Sequence, residues 1–372
     1  MPIRWTKKWI SDETFESAGV FDVDNDGVPD IVSGAWWYKG PDFKKKHSVG
    51  PVKAFGEYYD DFSTIAMDVN GDGWTDFVTG GWWGNTVRWR ENPCGDPAKP
   101  WPEHIIGETG SIETTRGWDI DGDGDVEIIP NSPGRREVVA YKLIRDATGK
   151  GTGKFRAITL FKFPKGQSQG HGMGCGDIAG NGRMDIVLCR GWLEAPKNPL
   201  KGKWTWHADF PNPPWGWAGS VPMIVTDVNG DGVNEIIVGQ AHGYGLWWLE
   251  QRKAKGKRTW KVHSIDPYNA QYHDLMWVDI DGDGQCELVT GKRHRAHCGN
   301  EAGEWDDYGI YYFKWNGESF SKQVVCYGTI GETTGLGIHF AVADLRGTGR
   351  LDIVAPGKDG LYVFFNEGII DK

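Results

Sequence analysis

Five nine-residue stretches place oxygen-bearing side chains at positions 1, 3, 5 and 9, with glycine at position 6. They comprise Asp22, Asp24, Asp26 and Asp30; Asp68, Asn70, Asp72 and Asp76; Asp119, Asp121, Asp123 and Glu127; Asp227, Asn229, Asp231 and Glu235; and Asp279, Asp281, Asp283 and Glu287. A tight loop with this spacing wraps its oxygens around one hard cation, and the backbone carbonyl at position 7 can add a ligand. Calcium is the expected ion, in a structural role. Two further copies break the pattern. One begins at Asp177 with Ala179 at position 3, and one begins at Asp344 with Arg346 and Thr348 at positions 3 and 5. Both are expected to be metal-free, with Arg346 replacing the ion's charge. Ordinary Asp/Gly turns are the competing reading, but they leave five coincident ligand sets unexplained.

Histidine offers a second chemistry. His47, His104, His207 and His263 recur with the repeat and read as structural or solvated. His171, His242, His273, His294, His297 and His339 fall on segments expected to lie near the centre of the fold. Imidazoles suit a borderline-soft ion such as zinc, where the acidic loops suit calcium. His171, His242 and His273 are the expected zinc ligands or bases. Any one of them alone would read as a hydrogen-bonded core residue; their convergence is what points to a site.

The acidic loops recur at intervals of 46, 51, 58, 50, 52 and 65 residues, so seven units fill the chain. A period of this size marks a propeller or solenoid. Each unit reads as four short strands. An apolar run such as "STIAMDV" enters the loop, "DFVTGGWW" leaves it, an aromatic strand such as "TVRWRE" follows, and one like "WPEHII" completes the unit. No segment keeps a helical period. The last unit lacks a fourth strand, and the N-terminal "IRWTKKWI" has that character. It is expected to complete the ring and remove an open sheet edge. The expected architecture is all-β, a seven-bladed β-propeller forming a single domain over residues 1–372. Counting six residues back from each loop then places Glu16, Glu113, His171 and His273 at one level of the channel. Tyr58, Tyr59, Asp60, Asp61, Arg116, Trp217 and His339 lie close by. The ends of the second strands add Trp36, Trp37, Trp82, Trp83, His242, Lys292, Arg293 and His294.

Composition narrows the function. The chain has 54 Gly, 21 Trp and a formal charge of −10, without a basic block suited to nucleic acid. Five divalent ions would roughly cancel that charge. No run of 18 apolar residues exists to span a membrane, and the N-terminus lacks the apolar core of a signal peptide. As it stands the sequence reads as cytoplasmic, or as periplasmic or secreted if a signal has been cleaved. The six cysteines form no metal-type pair and read as free thiols, which favours a reducing compartment.

The D-x-D-x-D-G-x-x-D unit followed by "IVSG" or "FVTG" resembles the FG-GAP or VCBS repeat of integrin-type propellers over essentially the whole chain. A narrower resemblance lies in "GHGMGCGDIAGNGRMDIVLCRGWLEAP", "AHGYGLWWLEQ" and "DLMWVDIDGDGQCELVTGKRHRAH". These segments are similar to bacterial repeat proteins related to the propeller part of aldos-2-ulose dehydratase, whose extra domains are missing here. Propeller-fold polysaccharide lyases are a second analogy. The resemblance implies metal-assisted β-elimination on a ketosugar or uronic-acid-containing saccharide, hence a carbon–oxygen lyase. Catalytic candidates are His171, His242, His273, Tyr59, Tyr244, Lys292 and Arg293, with the last two stabilising an enolate. Trp82, Trp83, Arg116, Trp217, Glu113, Asp61 and His297 are candidates for binding the sugar. Two other functions stay open: a non-catalytic lectin-like or integrin-like module, and a glycoside hydrolase using Glu16 and Glu113.

Overall fold

The computed structural model describes residues 2–210, 212–254 and 257–369, and among these no helix is assigned. The strands form five four-stranded antiparallel sheets, one eight-stranded sheet and a two-stranded hairpin, in a propeller-like arrangement. The eight-stranded sheet is two successive four-strand units. They join where Met173–Gly176 runs parallel to Met223–Thr226, with Gly174 opposite Met223. At the N-terminus, Ile3–Ser11 pairs antiparallel with Gly360–Ile369, adding a fourth strand to the last sheet.

Burial follows position within the unit. The second strands, such as Asp76–Gly80 and Glu235–Gly239, are buried along their whole length because neighbouring sheets cover both faces. Fourth strands such as Glu103–Glu108 alternate between half-buried and exposed residues, as an outer strand should. Each apolar cluster joins successive sheets. Phe21, Val32 and Trp37 meet Phe77 and Trp101, while Ala18, Ile31 and Tyr38 meet Val354, Leu361 and Val363 of the last sheet. On the outside, the four recurring histidines stack on third-strand tryptophans. His47 lies on Trp37, His104 on Trp89, His207 on Trp192 and His263 on Trp248, with ring centroids 4.1 to 4.4 Å apart. These imidazoles staple strands together.

The acidic loops share one hydrogen-bond frame. The position-1 carboxylate accepts the N–H of the position-6 glycine, at 2.7 Å for Asp22 and Gly27 and 2.9 Å for Asp227 and Gly232. The position-9 carboxylate accepts the N–H of position 2, as Asp30 does from Val23 at 2.9 Å. Those glycines have φ between 76° and 92°, a region that side chains avoid. The Asp177 loop keeps both bonds and the Asp344 loop keeps the position-1 bond, neither with a full ligand set. Positions 1 and 9 therefore shape the loop by themselves, and a cation's contribution falls to positions 3 and 5.

Three of the five expected loops bring carboxylate oxygens within 4.8 Å of one another, as one ion requires: Asp22, Asp24 and Asp30; Asp119, Asp121 and Glu127; and Asp279, Asp281 and Glu287. In the Asp22, Asp119 and Asp279 loops a lysine ammonium already lies among the carboxylates: Lys39, Lys142 and Lys314, each from the third strand of its own sheet. In the Asp344 loop, Arg346 pairs with Asp352 at position 9 and with Glu367 of the third strand, at 3.1 and 3.2 Å.

Candidate functional site

Four residues from four units converge at the centre. Glu113 precedes the strand Thr114–Trp118, His171 precedes Met173–Gly176, and His273 lies in Tyr272–Val278. All three occupy the level six residues before their acidic loops. His242 reaches the same point from the turn after Glu235–Gly239. All four are buried, and one ligand atom from each lies within 4.8 Å of the others.

The contacts between them are unusual. Glu113 Oε1 is 3.1 Å from both His171 Nε2 and His273 Nε2, and the Nε2 atoms of His171 and His242 are 2.9 Å apart. His171 Nδ1 lies 2.8 Å from the Gly219 carbonyl, to which only an N–H can donate. His242 Nδ1 lies 2.7 Å from Glu301 Oε1. His171 therefore carries its proton on Nδ1 and turns an Nε2 lone pair inward, toward Nε2 of His242. Either a cation held between these groups or an Nε2–H of His242 donated to His171 satisfies that lone pair.

The electrostatics favour the cation. Burial pushes His242 down to about 4, despite the Glu301 carboxylate, and holds His273 well below the ordinary imidazole range. Both are neutral and ready to ligate near pH 7. Burial alone would raise Glu113, but the His171 and His273 imidazoles outweigh it and keep this carboxyl well below its usual value. Burial would raise Glu301 too, yet its bonds to His242 and His297 bring it to about 2. Three imidazoles and a carboxylate suit zinc or a similar divalent transition ion. Glu301 supplies the outer carboxylate that orients such a ligand.

Above this centre lies a cavity of about 360 Å³, walled by Tyr58, Phe62, Trp82, Trp83, Trp217 and Arg293 among others. The His242 ring stacks on Trp217 at 5.0 Å and on His297 at 4.5 Å. Asp60 holds the Trp83 wall by accepting the N–H groups of Trp83 and Gly84 at 2.9 and 3.0 Å. A second cavity of about 500 Å³ shares Gly170 and Trp217 with the first. His297 pairs through Nδ1 with Glu301 and is half-exposed at the cavity, which leaves its Nε2 free to face a ligand.

Other candidates lie elsewhere. Lys292 is buried, with its ammonium held by the carbonyls of Gly303 and Asp306, and burial lowers it to about 8. It anchors the excursion carrying His297 and Glu301 and does not line the cavity. Arg293 does line it, but Glu16 grips the guanidinium at 2.8 and 3.1 Å, leaving Nη1 4.0 Å from Glu113. With Glu16 and Glu113 both engaged, neither is a free acid for glycoside hydrolysis. Arg116 is buried against Asp274 at 2.7 Å, and Asp61 accepts from Thr79 at 2.6 Å. Tyr59 packs on Phe15, and Tyr244 donates to Asp306 at 2.7 Å on the surface. His294 packs edge-on against Tyr308, while His339 Nδ1 is 3.3 Å from the Ala18 carbonyl. All six cysteines are free. Sequence reasoning missed Glu301. The available signal was the long segment between the strands Glu287–Lys292 and Tyr308–Trp315, with His297 and Glu301 four residues apart.

Residues 68–129 and 227–290 match the FG-GAP-like repeat. The chain carries FG-GAP-like repeats. No curated protein matches it. Among solved structures, rhamnogalacturonan lyase YesW aligns over 98% of this chain and 73% of its own, at 15% identity and TM-score 0.50. BBS1N, solved in complex with ARL6DN, aligns over 99% of this chain and 98% of its own, at 10% identity and TM-score 0.53. A lectin from Agrocybe aegerita that recognises non-reducing terminal N-acetylglucosamine aligns over 96% and 91%, at 18% identity and TM-score 0.49. Identities this low speak to fold alone. No helix among the described residues is long and apolar enough to cross a membrane.

Proposed function

We propose that this FG-GAP-repeat chain is a seven-bladed propeller, closed by its N-terminal strand, that eliminates water or an alcohol from an oxidised saccharide at a divalent transition-metal centre. One observation carries the reading: ligand atoms of Glu113, His171, His242 and His273 lie within 4.8 Å of one another, with the His171 and His242 Nε2 atoms 2.9 Å apart, on the floor of a tryptophan-walled cavity. Likeness to a rhamnogalacturonan lyase is one of fold and adds no chemistry. A bound divalent ion would acidify the C–H next to a sugar carbonyl or carboxylate. The chain's own groups then do the rest. His297, oriented through Nδ1 by Glu301, takes that proton at Nε2. The C–H electron pair becomes the new carbon–carbon double bond, the C–O bond breaks, and the protonated His297 returns its proton to the leaving oxygen. Arg293, fixed by Glu16, places positive charge beside the developing enolate. Trp82, Trp83 and Trp217 offer faces for sugar rings. The neighbouring cavity beyond Trp217 leaves room for further units.

Elimination gives a double bond conjugated to a carbonyl, so the test is new ultraviolet absorbance from ketosugars, ketoglycosides and uronate oligosaccharides. Wild-type protein loaded with zinc, manganese or iron should show it. His171→Ala should lose both the metal and turnover, whereas His297→Ala should keep the metal and lose on the order of 10²–10⁴ in rate. Wild type supplied with zinc, manganese or iron that binds sugars reversibly without turnover would establish the lectin-like function instead.

A further inference from the structure

Third-strand residues beside position 9 divide the acidic loops into two kinds. The registers Ile31↔Tyr38, Ile128↔Tyr141 and Leu288↔Phe313 bring Lys39, Lys142 and Lys314 against Asp30, Glu127 and Glu287. Lys39 Nζ bonds Asp24 and lies 2.6 Å from Asp26. Lys142 Nζ lies 3.1 Å from Asp121, 2.7 Å from Asp123 and 2.7 Å from Glu127. Lys314 Nζ contacts Asp281 and lies 2.6 Å from Asp283 and 3.3 Å from Glu287. Each ammonium thus meets the oxygens at positions 3 and 5, where an ion would sit.

The Asp68 and Asp227 loops differ in two places at once. Position 3 is Asn70 or Asn229, and the registers Phe77↔Arg90 and Ile236↔Leu249 bring Glu91 and Glu250 where the other loops have lysine. Those glutamates pair with His104 and His263, each at 2.7 Å, and Glu91 also accepts from Asn70 Nδ2 at 3.4 Å. No ammonium enters either loop among the described contacts. Glu235 Oε1 and Glu287 Oε1 are both buried without a hydrogen-bond partner, but Lys314 Nζ stands 3.3 Å from Glu287 Oε1, whereas among the described residues no ammonium stands beside Glu235. A buried carboxylate oxygen left unpaired is costly, and a cation is its natural partner. An aspartate at position 3 thus travels with a lysine, and an asparagine with a glutamate.

We infer that Lys39, Lys142 and Lys314 close the Asp22, Asp119 and Asp279 loops against metal, which leaves the calcium expected of this repeat to the Asp227 loop. The Asp68 loop shares its composition and is the one other loop left open. An ammonium and a divalent ion cannot share the same oxygens, so the lysines confer a cohesion that chelators cannot remove.

Calcium bound per chain, measured by elemental analysis after calcium loading and gel filtration, should be one or two. Asp231→Ala should remove one ion. Lys142→Met and Lys314→Met should each add one, and their melting temperatures should become calcium-dependent beyond the wild-type response. A lysine variant that folds only when calcium is supplied would equally show the ion taking the ammonium's place. Three or more calcium ions on the wild type would overturn the lysine assignment. Zero ions, or an unchanged count in Asp231→Ala, would overturn the Asp227 site. These counts are independent of any turnover.

Discussion

Glu301 shows how one side chain can serve two functions at the candidate centre. Its Oε1 faces His242 Nδ1 at 2.7 Å and also pairs with His297 Nδ1, so it orients both a ligand and the proposed base. Glu301→Gln should weaken zinc binding about 10–100-fold, the usual cost of losing an outer partner of a ligand. Competition with a chromophoric chelator measures this directly, whether or not a substrate is known. An unchanged affinity would mean that Glu301 acts on His297 alone. From the sequence, Glu113, His171 and His273 could be placed together because each precedes its acidic loop by six residues. Glu301 could not, because it lies in an excursion whose path no repeat constrains.

Strands and turns carry their own titrating groups. Asp359, in the turn between Asp352–Gly357 and Gly360–Ile369, has neither carboxylate oxygen paired with a protein donor, and burial raises it to about 6. A carboxyl whose folded value exceeds its unfolded one binds its proton more tightly when folded. Its penalty is therefore absent below about pH 4 and grows as pH rises through 6. Asp359→Asn should stabilise the protein by up to about 2 kcal/mol at pH 7.5 and by nothing at pH 4. Urea denaturation at the two pH values checks both. The four-strand repeat was legible from alternation and glycine spacing, because period-2 burial and positive φ are local demands. The partners of the recurring histidines were not. Whether an imidazole stacks on tryptophan depends on register across two strands, which only pairing decides.

Across the whole molecule, the two ends of the chain meet in one sheet. Ile3 pairs opposite Ile369 and packs with Ile280, Val289 and Tyr312 of the preceding sheet. Ile3→Ala should cost about 2–5 kcal/mol, and a chain lacking residues 2–11 should aggregate through the uncovered edge of Gly360–Ile369. Thermal melting and light scattering measure the two effects. An unaltered melt of Ile3→Ala would show that the closing strand bears little load. Sequence alone determined the all-β class, the sevenfold period, the acidic turns and the level at which Glu113, His171 and His273 would lie. Each follows from spacing along one stretch of chain. Tertiary structure decided that Lys292 anchors a loop instead of facing substrate, that Glu16 and Glu113 are engaged, and that lysines occupy three acidic loops. These outcomes depend on which side chains from distant strands arrive at the same point, and charge is neutralised by whatever cation the fold brings within reach.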